Sequence, residues 1–156
     1  LSMGYPTPDD EDQILLNLQR EHPITSIGQV VDGARLLELQ RVVWEVHVDD
    51  TVRDYIVRLI HATRNHGDLA LGASLRGSLA LFKTAQALAI LRGRDYVLPD
   101  DVKTLAVPAL VHRFIVRPES ALRGYTADRI LHDLLRATPL DIGDPSELSA
   151  TRLGQA

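Results

Sequence analysis

Residues 78–91 read SLALFKTAQALAIL, and this stretch decides the fold class. Its polar side chains are few: Ser78, Lys83, Thr84 and Gln86. A helix that is apolar on nearly every side is typical of the buried centre of a domain. Gly93 follows closely and is predicted to end the helix, because glycine tolerates the left-handed backbone found after helix C-termini. We therefore expect an all-α fold in which this helix is the central and most buried element.

The clearest amphipathic helix precedes it, at residues 52–63. Its inward residues recur every three or four positions, as one face of a helix requires: Val52, Tyr55, Ile56, Leu59, Ile60 and Thr63. The pair Asp49–Asp50 is expected to cap its start, and Gly67 follows its end. The same spacing recurs near the C-terminus, at Ala127, Ile130, Leu131, Leu134 and Leu135. There Thr126 is the expected N-cap and Pro139 the stop.

Three further helices are predicted. Acidic residues favour the positive end of a helix dipole, so the run 8–12 is expected to begin the first helix, which ends before Pro23. The second helix begins after Gly33. The third opens at Pro99 and ends at Pro108, with a last short turn after it. Their apolar faces are, in chain order, Ile14, Leu15 and Leu18; Leu36, Leu39, Val43 and Val46; and Val102, Leu105 and Ala106.

Strand signals are rare in this sequence. Val46–Val48 and Tyr96–Val97 are brief β-prone pieces, each followed by an acidic helix start. We predict that they pair in parallel, although such a pair is stable only when it packs on helices. The expected architecture is a compact all-α bundle of six or seven helices with at most one very short two-stranded parallel ribbon.

Composition excludes several classes of function. The chain has 156 residues, no cysteine and a formal net charge of −4. Without cysteine, thiol catalysis, thiolate zinc sites and disulfide scaffolds are excluded. The negative charge argues against a basic nucleic-acid-binding face, and no apolar run approaches the roughly 18 residues of a membrane span. We therefore expect a cytoplasmic protein with no nucleic-acid partner and no membrane span.

The common signatures of catalysis are also absent from the sequence. It has no Gly-Lys dipeptide, which excludes a P-loop, and neither GxSxG nor HExxH. Among its six histidines, His61 and His66 lie near each other. They would stand about 140° apart around a helix, which is a poor arrangement for sharing a metal ion. No metal site is expected, and the histidines are predicted to be solvated or packed.

The segment Gly72–Ser78 has unusual physical content. Ser74 is predicted to cap the central helix by accepting a hydrogen bond from a backbone amide. Arg76 would then lie in the first turn, where a cation faces the positive end of the helix dipole. Free amides and a guanidinium together suit a phosphate-like group, and the small residues Gly72, Ala73 and Gly77 would leave room for it. The alternative is an exposed arginine paired with a nearby Asp or Glu.

Residues 72–113 resemble the C-terminal helical lid of the MoxR-type AAA+ ATPases. In that family a Gly-Ala-Ser-x-Arg motif begins a long helix rich in alanine and leucine, as at Gly72–Arg76. The other matching elements are Gly93-Arg94-Asp95-Tyr96-Val97, Pro99-Asp100-Asp101-Val102, His112-Arg113, Val46-His47-Val48, Ala62-Thr63-Arg64 and Met3-Gly4-Tyr5-Pro6. Leu75 departs from the family, which often has proline there, and Leu98 stands where a hydroxyl cap is commoner. The ordered co-occurrence, over about residues 3–140, is far more specific than any one motif.

The resemblance implies that Arg76 is the sensor-2 arginine, which reaches from the lid to the γ-phosphate of ATP bound on a core domain. It implies a catalytic role for Arg76 in the full-length parent only, with Gly72 and Ser74 on the phosphate side of the same nucleotide. Thr63-Arg64 and His112-Arg113 also match family positions. We interpret them as packing and inter-helix polar contacts.

The resemblance also divides the chain. It implies that residues 1–7 are a remnant of the ATPase core or hinge, 8–140 the helical lid, and 141–156 a flexible tail. ATP, Mg²⁺ and hydrolysis then belong to the full-length parent, and the isolated chain is expected neither to hydrolyse ATP nor to bind it tightly. The implied partners are the core domain, neighbouring subunits of a homo-oligomeric ring, and an unknown client protein activated in a chaperone-like way. The alternative is a stand-alone helical protein-interaction module.

Overall fold

Seven α-helices dominate the part of the chain that the computed structural model describes, residues 4–19 and 22–140. They are α1 (Pro8–Leu18), α2 (Gly33–Glu45), α3 (Asp50–Arg64), α4 (Leu75–Leu91), α5 (Pro99–Leu110), α6 (Pro118–Leu122) and α7 (Ala127–Ala137). Short 3-10 helices span Pro23–Ser26 and Val111–Arg113, and the strands are β1 (Leu69–Leu71) and β2 (Ile115–Val116). The predicted all-α class is confirmed. The predicted tail, 141–156, lies outside the described residues.

The chain divides into two units, Leu1–Gln40 and Arg41–Ala156. In the first unit, α1 begins where the acidic run predicts it. Thr7 caps it, because its hydroxyl accepts a hydrogen bond from the Asp10 amide at 3.3 Å and the Asp10 carboxylate accepts one from the Thr7 amide. The apolar residues of α1 are nevertheless exposed, and the helix has no buried residue. The helix was therefore predicted correctly, but its burial was not.

The second unit contains the hydrophobic core. Helix α3 contacts α4, α5 and α7, and α4 also packs on α5. The six residues predicted for the inner face of α3 are all buried: Val52, Tyr55, Ile56, Leu59, Ile60 and Thr63. Asp49 caps this helix by accepting a hydrogen bond from the Thr51 amide at 2.9 Å. Thr126 caps α7 in the same way through the Arg129 amide.

Helix α4 is less buried than its sequence predicts. It buries one face, which includes Leu81, Ala85 and Ala89. Leu75 and Leu79 are exposed, as is Leu91 near the end of the helix, at 68%, 54% and 83%. The expectation that α4 is the most buried element is wrong, because α3 has the more completely buried face. Gly93 does end α4, with φ of 71°.

We expected Pro108 to end α5, but the structure shows that it does not. The helix continues to Leu110 and is followed by the 3-10 helix at Val111–Arg113. A proline inside a helix removes one backbone hydrogen bond and crowds the preceding turn. Here Ala106 and Leu110 are both fully buried on either side of it, so packing of this face favours continuing the helix. The helix therefore ends at Leu110, shortly after the predicted end at Pro108.

The predicted parallel pairing is present as a single bridge between His47 and Tyr96. The His47 amide donates to the Asp95 carbonyl at 2.9 Å, and the Val97 amide donates to the His47 carbonyl at 3.0 Å. A second pairing was missed: β1 and β2 form an antiparallel sheet. Helix α6 was missed as well. No helix in the described part of the chain has the length and hydropathy of a membrane span.

Candidate functional site at the start of helix α4

Arg76 is the second residue of α4, as predicted, and its side chain is exposed. The guanidinium makes no hydrogen bond or ion pair with any residue in 4–19 or 22–140. The alternative drawn from the sequence, an arginine paired with a nearby carboxylate, is therefore not found in the described part of the chain. A free guanidinium and the amide end of a 17-residue helix lie together at this end of α4.

Ser74 occupies the N-cap position of α4, but it does not cap the helix as predicted. Its backbone is extended, with φ of −80° and ψ of 178°, and its side chain makes no capping hydrogen bond. The Gly77 amide donates instead to the Ser74 carbonyl, at 2.8 Å. The prediction that the Ser74 hydroxyl caps α4 is therefore wrong, and the first amides of the helix have no side-chain acceptor among the described residues. Such an end is suited to an anion that brings its own oxygen atoms.

The loop before α4 is held by the end of α3. The Thr63 hydroxyl accepts a hydrogen bond from the Ala73 amide at 3.0 Å and donates to the Ile60 carbonyl at 2.7 Å. Arg64 follows Thr63, and its Nε donates to the Ala73 carbonyl at 2.7 Å. Consecutive residues of α3 therefore bind both polar backbone groups of Ala73. The interpretation of Thr63-Arg64 as packing and polar contacts is confirmed, but the polar contacts join α3 to a loop and not to another helix.

Gly72 in this loop and Gly77 in the first turn of α4 both allow close packing within the protein. A Cβ on Gly72 would lie 2.5 Å from the carbonyl carbon and oxygen of Thr63. A Cβ on Gly77 would lie 3.0 Å from the Ala73 Cβ and 3.1 Å from a Leu110 methyl group. Protein atoms fill the space that each Cβ would occupy, so the missing side chains leave no room for a phosphate on that side. Arg76, in the first turn of α4, presents an exposed polar group that is free to reach outward.

Sequence reasoning missed a second polar cluster, at the other end of α4. Asp101 is fully buried, and its carboxylate accepts hydrogen bonds from Arg92 at 2.7 Å and from Arg94 at 2.8 and 2.9 Å. It also accepts one from the Leu98 amide at 2.9 Å, so the amide of this N-cap residue has a partner although Leu98 itself has no hydroxyl that could cap α5. Burial opposes ionisation, but the bonds from Arg94 and Leu98 and the charges of both arginines hold the pKa of Asp101 below its usual 3.8. The sequence does contain a signal for this cluster, because Asp101 is the third residue of α5 and lies close along the chain to Arg92 and Arg94.

The remaining candidates form no reaction centre. The Arg113 Nε donates to the Ala109 carbonyl one turn earlier, so its contact is local and not between helices as interpreted. His66 accepts a hydrogen bond from the Asp68 amide through Nδ1 at 3.2 Å. Within the described ranges, no group of three or more His, Asp or Glu side chains is placed to hold a metal ion.

Comparison with protein families and solved structures identifies this architecture. The family model for the AAA lid domain matches residues 61–134, which include the end of α3, the loop before α4 and all of α5. A crystal structure of a candidate ATPase from Cytophaga hutchinsonii matches with a TM-score of 0.76 and 26% identity. The match covers 86% of this chain and 43% of that one. The likeness therefore extends beyond residues 61–134.

Two curated relatives also match most of this chain. The chain is 40% identical over 152 residues to YeaC of Bacillus subtilis, a protein without a characterised role, covering 97% of this chain and 46% of YeaC. It is 30% identical over 149 residues to the chaperone MoxR1 of Mycobacterium tuberculosis, covering 90% of this chain and 39% of MoxR1. The chain thus spans less than half the length of each relative. The chain therefore carries the lid domain of a MoxR-type AAA+ ATPase.

Proposed function

We propose that this lid domain presents Arg76 to the γ-phosphate of ATP held by an ATPase core domain, as a sensor-2 arginine. One observation carries the proposal: the Arg76 guanidinium is exposed and has no partner in the described part of the chain, although the loop beside it is fixed by buried contacts. An unpaired cation at the positive end of a helix dipole is unfavourable by roughly 0.3–1 kcal/mol. An arriving phosphate removes that penalty.

The groups at this end of the lid fit a phosphate and do not fit a metal. They are donors, namely the guanidinium of Arg76 and the first amides of α4, and the Ser74 hydroxyl is free of a capping role. Mg²⁺ requires oxygen ligands, so its ligands belong to the core domain in this proposal. A charge-assisted hydrogen bond contributes about 1.5–3 kcal/mol. Arg76 would therefore stabilise bound ATP and the charge that develops during hydrolysis, without exchanging a proton.

Loss of the γ-phosphate removes the contact that Arg76 makes in the ATP-bound state. The lid is then free to rotate relative to the core, which is the hinge type of switching motion. We further propose that the full-length protein assembles as a homo-oligomeric ring and activates a client protein. The name of MoxR1, a chaperone 30% identical to this chain, supports a chaperone-like role. Family membership favours this function over a stand-alone interaction module.

ATP turnover by the full-length protein tests the proposal. Arg76→Ala is expected to lower kcat at least tenfold, because the variant lacks the charge that faces the γ-phosphate. Arg117→Ala is the matched control, since Arg117 is an exposed arginine at the start of α6 and its side chain has no described partner. That variant should keep wild-type turnover. Normal turnover by Arg76→Ala, in a protein that still elutes as the wild type does, would contradict the proposal.

A further inference from the structure

We propose that Thr63 and Arg64 are positioning residues that fix the start of α4 and thereby hold Arg76 where it meets ATP. This inference rests on the proposed function of Arg76 and adds the device that sets its location. Neither residue needs to touch the nucleotide. Both act through Ala73, which lies three positions before Arg76 and one before the N-cap.

The first step of the argument is that Ala73 has no freedom of its own. Its amide donates to the Thr63 hydroxyl and its carbonyl accepts from Arg64 Nε, so both of its polar backbone groups are bound by consecutive residues of α3. Ala73 is itself buried, at 1% exposure. An amide and a carbonyl that are buried without partners are costly, so the loop is expected to keep this geometry.

The second step is that Thr63, which binds the Ala73 amide, is itself held in place by the core. Thr63 is fully buried, and its hydroxyl also donates to the Ile60 carbonyl one turn earlier in α3. Leu59 and Ile60 beside it are fully buried in the core. The position of the Thr63 oxygen is therefore set by the core of the unit, and Ala73 follows that oxygen. Arg76 stands at the end of this chain of contacts.

The third step is that the sequence permits so close an approach. A Cβ on Gly72 would lie 2.5 Å from the Thr63 carbonyl and 2.7 Å from the Arg64 amide nitrogen, closer than a real Cβ can approach. The loop can therefore lie flat on the end of α3, within reach of both side chains. A loop held farther away would place the first turn of α4, and Arg76 with it, at a different distance from any core domain.

The test measures ATP turnover by full-length variants. Thr63→Val removes the hydroxyl at nearly constant shape, Thr63→Ser restores it, and Arg64→Ala removes the second contact. Misplacement of a reacting group by about 1 Å costs about a hundredfold in rate. We therefore expect Thr63→Val and Arg64→Ala to lower kcat by between about tenfold and a hundredfold, and Thr63→Ser to retain most of it. Because Arg64 is exposed, its variant keeps the test valid if Thr63→Val does not fold.

Double variants separate positioning from a general structural role. If Thr63 and Arg64 act through Arg76, neither change should lower kcat further once Arg76 is alanine. Additional losses in the Arg76→Ala background would overturn the inference, as would wild-type kcat in both single variants. Those results leave the proposed function intact when Arg76→Ala alone is impaired. Normal turnover by Arg76→Ala would instead remove the proposed function, and this inference with it.

Discussion

The α-carbon of Gly72 lies against the backbone carbonyl of Thr63, so closely that a Cβ on Gly72 would stand 2.5 Å from the carbonyl carbon and oxygen. Both atoms belong to the backbone of α3, and no side-chain rotation can relieve such a contact. The end of α3 and the loop before α4 therefore approach as only glycine allows.

Gly72→Ala is expected to destabilise the chain by about 1–3 kcal/mol, the usual effect of forcing extra volume into a packed site. Urea denaturation followed by circular dichroism measures the loss. Gly67→Ala is the matched control, because a Cβ at Gly67 would meet nothing within 4 Å. That variant should remain within about 0.5 kcal/mol of the wild type. Equal stability of the two variants would mean that the Gly72 contact is not as tight as described.

The Asp101 cluster predicts a dependence of stability on pH. The folded-state pKa of Asp101 lies below its usual 3.8, so ionised Asp101 stabilises the fold above about pH 4. That contribution should disappear as the pH falls through the folded-state pKa. Asp101→Asn should lower stability at pH 7 by roughly 1.5–3 kcal/mol, because it weakens charge-assisted bonds from two arginines. The variant should also lose less stability than the wild type between pH 5 and pH 2, measured by thermal unfolding; parallel pH profiles would contradict this account.

Tyr55 carries a hydroxyl that the fold does not use. Its side chain is fully buried, and the hydroxyl oxygen has no hydrogen-bond partner among the described residues. Burial also raises the pKa of Tyr55. Because an unpaired buried polar group is unfavourable, Tyr55→Phe is expected to raise the free energy of unfolding by about 1 kcal/mol. The free energy of unfolding is measured by chemical denaturation. If the variant lowered it by more than about 1 kcal/mol, the hydroxyl would have a partner after all.

The two faces of α4 should differ sharply in their sensitivity to truncation. Leu81 is fully buried, whereas Leu79 is 54% exposed on the same helix. Leu81→Ala is expected to cost about 2–5 kcal/mol, from lost apolar burial and the cavity that remains. Leu79→Ala should cost less than about 0.5 kcal/mol in the isolated chain. The ranking is measured by urea denaturation, and comparable losses at both positions would mean that Leu79 is covered.

The helices of the second unit were predictable where the apolar period was regular. The six inward positions of α3 recur with helical spacing, so the sequence alone placed its buried face correctly. Burial of α4 was overestimated because an apolar sequence does not reveal how much cover its neighbours provide. The β1–β2 sheet was missed because Leu69–Leu71 and Ile115–Val116 are very short and far apart in the chain. Pairing of that kind depends on tertiary packing more than on local pattern.

The candidate site was predictable only in part. The place of Arg76 in the first turn follows from the helix start, which Ser74 marks correctly despite making no capping bond. The contact between Thr63 and Ala73 joins separate elements, and no local pattern specifies it. One signal was present: Thr63 lies on an otherwise apolar helix face, and a buried hydroxyl there requires a partner.

The most direct test of the central claim compares nucleotides with and without a γ-phosphate. Dissociation constants of a non-hydrolysable ATP analogue and of ADP would be measured by calorimetry for the full-length wild type, Arg76→Ala and Arg117→Ala. Arg76→Ala should weaken binding of the analogue by between about tenfold and a hundredfold and leave ADP binding unchanged, with Arg117→Ala like the wild type. Equal weakening for both nucleotides, or none for either, would contradict a contact between Arg76 and the γ-phosphate.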